Sequence, residues 1–418
     1  MPRITNKSRV LKEIDDGAQA MAVYIALSKS KPWKNIKILL NIHTIIESQR
    51  YFSRGSAGRH EGLDIINNII YEFSDDKFLA MVRMSRSSFW QLVNILEDAG
   101  GEGYWDARIP GSGGRAPRPV YQQIAVALYT LGGAGTGRER SGVNLNIGHG
   151  TVGLYTWRAI QLLVKLSSVY IRWPTAQQRV DQDPPTAIFQ KCIGFLDGSI
   201  MILRYKPVVD PQAYYYRKSN YGFNLQAICD WNRKFIWASI SHPASAHDSM
   251  VFKLTPLYRQ IEIAFNDDEY ILADKAYALE QHVIVPYKEP LASRPKYSAF
   301  NYALSVPRVK IEHTFGILKG RWPSLRDIPI RIGEDAAGGH RKVMHWVMAC
   351  LVLHNILATI QLEDDDMWFE ENEEMEDSEQ GDRQEVQTSK ESKTEGATKR
   401  AGIRRREELV ELVSLQMR

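Results

Sequence analysis

The sequence predicts an α/β protein preceded by an all-helical N-terminal region. Hydrophobic periodicity is helical over most of the chain up to about residue 170, then changes to short apolar runs of strand length from Cys192 onward. Those runs follow the order β-β-β-α-β-α, with the turn Asp230–Lys234 (DWNRK) joining the second and third strands as a hairpin. A third observation bears on function: acidic residues interrupt runs whose other side chains belong in a core.

Taken in order, residues 1–105 read as helical. In RSSFWQLVNILEDAGG, Phe89, Leu92, Val93 and Ile95 or Leu96 share one face before glycines end the helix. Residues 106–119 are rich in Gly and Pro and read as a linker or exposed loop. Residues 120–170 give a helix from Val120 to Leu131, a glycine-rich turn, a short segment with Arg138 and Arg140, and an amphipathic stretch from Thr151 to Leu163. That is the pattern of a helix-turn-helix, with a plain helical hairpin as the equal alternative. Residues 186–360 hold the strands CIGFLDGSIMIL, NLQAICD and KFIWASISH, the helix AHDSMVFKLTPLYRQIE, the strand EYILADKAYAL and the late helix VPRVKIEHTFGILKGRWPSL. In the late helix, Ile311, Phe315 and Leu318 form one face, and Glu312 and Lys319 lie on another. Residues 361–418 read as an acidic disordered tail ending in a short basic amphipathic helix.

Composition narrows the classes. The net charge of +4 hides a split, with eleven acidic and no basic residues between Gln361 and Gln380. Residues 361–418 carry about −9, leaving about +13 on residues 1–360, which suits a polyanionic partner as well as plain solubility. The 3 cysteines, Cys192, Cys229 and Cys350, form no Cys-x-x-Cys pair, so neither a disulfide framework nor a cysteine zinc site is expected, and a reducing intracellular setting fits. No signal peptide or membrane span is expected. The most apolar stretch, HWVMACLVLHNILATI, is broken by His354 and Asn355 and reads as a core helix. Lys399, Arg400, Arg404, Arg405 and Arg406 form a cluster that could act as a nuclear import signal, so a nuclear location is expected, with a cytoplasmic one left open.

Four carboxylates carry the chemistry. Asp197 and Asp274 lie inside apolar strands, Asp248 follows HPASAH at a helix start, and Glu312 sits beside Ile311 in the late helix. Singly, each has an ordinary structural role: a turn at Gly198, a helix N-cap, a solvated helix position. Together they would repel one another unless divalent cations offset the cost. Two Mg²⁺ or Mn²⁺ ions about 3.5–4 Å apart would clamp the attacking and leaving oxygens of a phosphodiester displacement. Lys206, Arg217, Lys218, Lys288, Lys310, Lys319 and Arg321 flank the acidic positions and could hold a nucleic-acid backbone, as could Arg138 and Arg140 in the helix-turn-helix stretch upstream. Neither a GxxxxGK[ST] loop nor a Gly-x-Ser-x-Gly elbow is present.

The ordered motifs FLDGSI, YYYRKSNYGFNLQAICD, HPASAHDSMVF, ILADKAYAL, VPRVKIEHTFGILKGRWPSL and LVLHNIL resemble the DDE endonuclease domain of PIF/Harbinger transposases and the nucleases derived from them. RMSRSSFWQLV and the helix-turn-helix stretch resemble that family's N-terminal region, so the likeness covers most of residues 80–360. The resemblance implies an RNase H-like fold, a mixed sheet flanked by helices. It puts a catalytic triad on Asp197, Asp274 and Glu312, with Asp197 bridging both ions. It makes Asp248 a further metal ligand or an organiser beside the site, with His247 and Ser249 next to it. This chain departs from the family pattern at Ile200, Ala276 and His313. The expected activity is metal-dependent DNA cleavage or transposition. The expected partners are DNA, a Myb-like DNA-binding protein docking on the acidic tail, and a second copy of the chain. The rivals are a catalytically silent DNA-binding scaffold that keeps the fold, and an enzyme acting on RNA.

Overall fold

A computed structural model describes residues 6–28, 33–48, 64–106, 117–133, 137–181, 184, 186–216, 220–360, 368 and 393–416. The chain divides into two compact units, Met1–Leu63 with Asp106–Pro117, and Asp64–Trp105 with Arg118–Arg418. The boundaries therefore fall after residues 63, 105 and 117. In the smaller unit, helices α1 (Asn6–Ser28) and α2 (Trp33–Ser48) pack on each other, with His43 Nε2 3.4 Å from Asp15 Oδ1.

The larger unit is built on a six-stranded mixed sheet of β1 (Cys192–Leu203), β2 (Tyr215–Tyr216), β3 (Asn220–Cys229), β4 (Phe235–Pro243), β5 (Tyr270–Ala273) and β6 (Val283–Ile284). β1, β3 and β4 are antiparallel neighbours, and β2 pairs with the start of β3. β5 and β6 continue the sheet in parallel beyond β1. Side chains alternate faces along a strand, so β3 sends Phe223, Leu225, Ala227 and Cys229 into one large core and Ile228 into a second, smaller one. Both faces are covered, as an apolar central strand requires.

The second core lies beneath residues 248–264, which form three short helices rather than the one long helix the periodicity predicts. The breaks come where Thr255 caps a new helix at Pro256, and again at Gln260. The main core lies under α9 (Pro295–Arg321), α10 (Ala336–Ile360) and the helices that precede the sheet. These preceding helices include α3 (Asp75–Val82), α4 (Arg86–Gly100), α5 (Val120–Leu131), α6 (Arg138–Asn144) and α7 (His149–Lys165); Asp248–Lys253 is α8. α10 is long and apolar enough to cross a membrane, but most of it is buried inside the fold, against α7 and β4 among others, so the core-helix reading holds.

One sequence expectation changes here. Within the stretch read as a helix-turn-helix or a helical hairpin, α7 buries Val152, Tyr155, Ala159, Ile160, Leu162 and Leu163 and packs on α5, α6 and α10. α7 keeps His149, Leu154, Gln161 and Lys165 exposed, and α6 exposes Arg138 and Arg140. The C-terminal tail, by contrast with the expectation, is not uniformly structureless. Trp368 is buried, with the guanidinium groups of Arg83 and Arg321 5.3 and 5.7 Å from its ring centroid. Residues 393–416 form helix α11 (Lys393–Gln416), which docks on α9 and β6 through Leu409, Val410 and Val413. The acidic stretch at 361–367 and 369–392 lies outside the described residues.

Candidate active site

Asp197 sits mid-strand in β1, half-buried, on the face that carries Phe195, Met201 and Leu203 into the main core. β1 runs parallel to β5 with Leu196 opposite Ala273. The next residue on each strand is an aspartate, Asp197 and Asp274, on lines about 4.8 Å apart. Asp274 leaves the end of β5, and its carboxylate accepts a hydrogen bond from the backbone N–H of Lys275. The third carboxylate comes from α9, which lies over β1, β3 and β5. α9 starts with Pro295 at its first position, where the missing N–H costs nothing, and runs to Arg321. Ile311, Phe315 and Leu318 bind it to the core and turn half-buried Glu312 toward the aspartates.

These carboxylates act on one another electrostatically. Burial pushes the Asp197 carboxyl up to about 6; the Arg308 guanidinium and the Gly198 N–H (2.8 Å from Asp197 Oδ1) pull it down, and the Asp274 and Glu312 charges push it further up. Burial also raises Glu312, again opposed by Arg308 and reinforced by Asp274. Arg308 stands one turn before Glu312 on α9, with Nη2 3.8 Å from Asp197 Oδ2. Among the described residues, no group of three or more Asp, Glu, His or Cys side chains is drawn into a ready cage for a metal ion. The donor set is nonetheless all oxygen and anionic, which fits a hard divalent cation and does not fit zinc held by nitrogen or sulfur.

Asp248 is placed differently. It is buried at the start of α8, on the opposite face of the sheet from Asp197. Its Oδ1 accepts hydrogen bonds from Asn224 Nδ2 (2.7 Å) and Gln226 Nε2 (3.0 Å). Gln226 Nε2 also donates to Asn224 Oδ1 (2.8 Å), and its Oε1 accepts from the Tyr277 hydroxyl. Gly198 makes room for this network: a Cβ there would lie 2.6 Å from Asp248 Oδ1. Thus Gly198, next to the candidate catalytic aspartate, has to be side-chain-free for Asp248 to approach β1 from behind. Asp248 fits the organiser role, and the metal-ligand expectation for it has no support in this placement.

The basic residues scatter. Arg138, Arg140 and Lys288 are exposed, and Lys310 is half-buried near Asp230. Lys319 and Arg321 are only 3% and 2% exposed, so the sequence expectation that they contact DNA fails: the face of α9 on which they lie is packed into the fold. Arg217 and Lys218 lie outside the described residues. Sequence reasoning did not single out Asn224, Gln226, Tyr277 or Arg308. Asn224 and Gln226 were detectable as alternating polar residues in an otherwise apolar strand, and Arg308 by its i, i+4 spacing to Glu312.

Comparison with known proteins agrees with this geometry. Residues 197–355, which begin at the β1 aspartate, match the DDE superfamily endonuclease family. The proteins named Putative nuclease HARBI1 from Bos taurus and from Homo sapiens are each 25% identical over 292 residues, covering 68% of this chain and 78% of theirs. Protein ALP1-like from Arabidopsis thaliana is 23% identical over 264 residues, covering 59% of this chain and 62% of its own. No solved structure matches the chain. The chain therefore carries a DDE superfamily endonuclease domain and is a homologue of the Harbinger transposase-derived nucleases.

Proposed function

We propose that this protein is a divalent-cation-dependent DNA endonuclease, of transposase descent, with an RNase H-like catalytic domain. One observation carries the reading: β1, the end of β5 and α9 bring Asp197, Asp274 and Glu312 to one face of the sheet, where burial and mutual repulsion raise the first and third. Three antiparallel strands continued by two parallel ones, with acids on the first strand, after the fourth long strand and on a late helix, support the RNase H-like assignment. Asp197, Asp274 and Glu312 would hold Mg²⁺ or Mn²⁺. Bound there, a pair of such ions supplies activation of a water or 3′-hydroxyl and stabilisation of the departing oxygen. The chain's own part is to hold three carboxylates in register, which the β1–β5 pairing and the packing of α9 do, and to keep Asp248 bound to Asn224 and Gln226 behind the strand. Exposed Arg138, Arg140 and Lys288, with Arg217 and Lys218, would hold the phosphate backbone.

A catalytically silent DNA-binding scaffold is the second reading. It is favoured by the ion pair that Arg308 already makes with Asp197, which offsets the buried charge without any metal. Nicking of supercoiled plasmid decides between them. Cleavage is expected with Mg²⁺ or Mn²⁺, none with EDTA, and a loss of about 100-fold or more in Asp197→Ala, Asp274→Ala and Glu312→Ala. Absence of nicking together with retained DNA binding would favour the scaffold.

A further inference from the structure

Arg308 has no part in the metal-dependent reading as stated so far. Its side chain is 11% exposed and points into the space between the carboxylates, 3.8 Å from Asp197 Oδ2, where Asp197 itself is 22% exposed. Its Nε is buried and has no hydrogen-bond partner among the described residues. A guanidinium donates through five N–H groups, and a buried one left with an unsatisfied nitrogen is costly. The residue before it, Pro307, removes one hydrogen bond from α9 just where Arg308 turns inward. The contact at 3.8 Å is an ion pair, not a bidentate clasp of the carboxylate. This is a cation held near Asp197 and one turn from Glu312, with its Nε unpaired among the described residues.

We propose that Arg308 is a positioning residue that acts as the resident counter-cation of the carboxylate site and is displaced from Asp197 when divalent cations bind. This deepens the metal-dependent reading above and rests on it. Three carboxylates cannot share a partly buried space uncompensated. Arg308 supplies the compensation, which keeps the β1–β5–α9 arrangement intact, but it competes with any ion for the same oxygens. Removing it should therefore weaken the cation-free fold and strengthen cation binding. A residue that helped to hold the metal, or merely packed, would not give that pair of opposite signs.

The test is thermal unfolding of the full chain in EDTA and across a Mn²⁺ titration, comparing the native protein with Arg308→Gln. The rise in Tm with Mn²⁺ gives the apparent affinity. The expected result is a lower Tm than the native protein in EDTA and a roughly three- to tenfold tighter apparent Mn²⁺ affinity, the scale of a partly screened ion pair. Native protein stabilised by Mn²⁺, with Arg308→Gln bound equally or more weakly, would overturn the displacement proposal and leave the metal-site reading standing. No Mn²⁺ stabilisation of either protein would overturn both. Should Arg308→Gln fail to fold, Arg308→Lys carries the test: its shorter side chain makes a weaker pair, so Mn²⁺ should bind more tightly than to the native protein, and an unchanged or weaker affinity would overturn the proposal.

Discussion

Asp197 is a half-buried acid in a strand, and its cost has a pH signature. Its folded-state pKa is raised to about 6 from the ordinary 3.8, so between those values the native state binds more protons than the unfolded chain. Stability contributed by this group is therefore greatest at low pH and is lost as pH rises through about 6. Glu312, raised for the same reason, acts in the same direction. In EDTA at pH 7–8, Asp197→Asn should stabilise the protein by about 1–3 kcal/mol and flatten the pH dependence of Tm between pH 5 and 7. Denaturant melts at three pH values would show it, and a destabilised Asn variant would mean that the ionised form is well served by its neighbours. The amide network behind β1 makes the opposite prediction. Gln226→Leu strips a partner from both Asp248 and Tyr277, so it should cost about 1–3 kcal/mol while leaving all three candidate ligands in place.

At the scale of elements, α11 is longer than the short terminal helix read from the sequence, and it docks on the body. Gly402 lies against the backbone of Glu280, where a Cβ would meet Glu280 C at 2.6 Å, so the helix approaches the loop before β6 more closely than any side chain allows. Arg406 lies over the Tyr287 ring at 3.7 Å and donates to the carbonyls of Val285 and Pro286. Glu407 accepts from the hydroxyls of Tyr287 (2.7 Å) and Tyr297 (3.2 Å), which hold its carboxyl below the usual range despite burial. Arg406 is thus occupied, which removes one residue from the basic cluster read as an import signal. α11 docks on α9, the helix that carries Glu312, so undocking should reach the site. Val410→Asp places an unpaired charge at a buried contact and should cost about 3 kcal/mol. Hydrogen exchange should then speed up along α9; unchanged exchange there would show that α11 is an appendage only.

For the molecule as a whole, charge sets the remaining tests. The basic body and the acidic stretch after Ile360 carry opposite charge. If α6 contacts DNA, replacing Arg138 and Arg140 by Glu should lower affinity at every sequence tested and reduce the slope of log K against log salt by about 2. An unchanged slope would move the contact elsewhere. The acidic stretch is the proposed docking segment for a basic DNA-binding partner of the Myb-like kind. Deleting residues 369–392 leaves both Trp368 and α11 in place. Partner capture should be lost while Tm is preserved; capture that survives would free the stretch from that role.

Periodicity and composition alone gave the helical N-terminal half, the β-β-β-α-β-α order, the hairpin at Asp230–Lys234, the buried identity of α10 and four candidate acids, Asp197, Asp248, Asp274 and Glu312. These are local properties: the period of apolar residues and the presence of a carboxylate where an apolar residue belongs are both written in neighbouring positions. Tertiary structure decided which acids share a face. Asp197 and Asp248 lie on opposite sides of the sheet because Gly198 opens the rear of β1, a consequence of strand alternation and of where α8 lands. It decided that α7 is core, that Lys319 and Arg321 are buried, that Trp368 and α11 return to the body, and that Arg308 stands beside Asp197. Each of these depends on which surfaces meet across long sequence separations, and the spacing of residues along one element does not encode what packs against its other side.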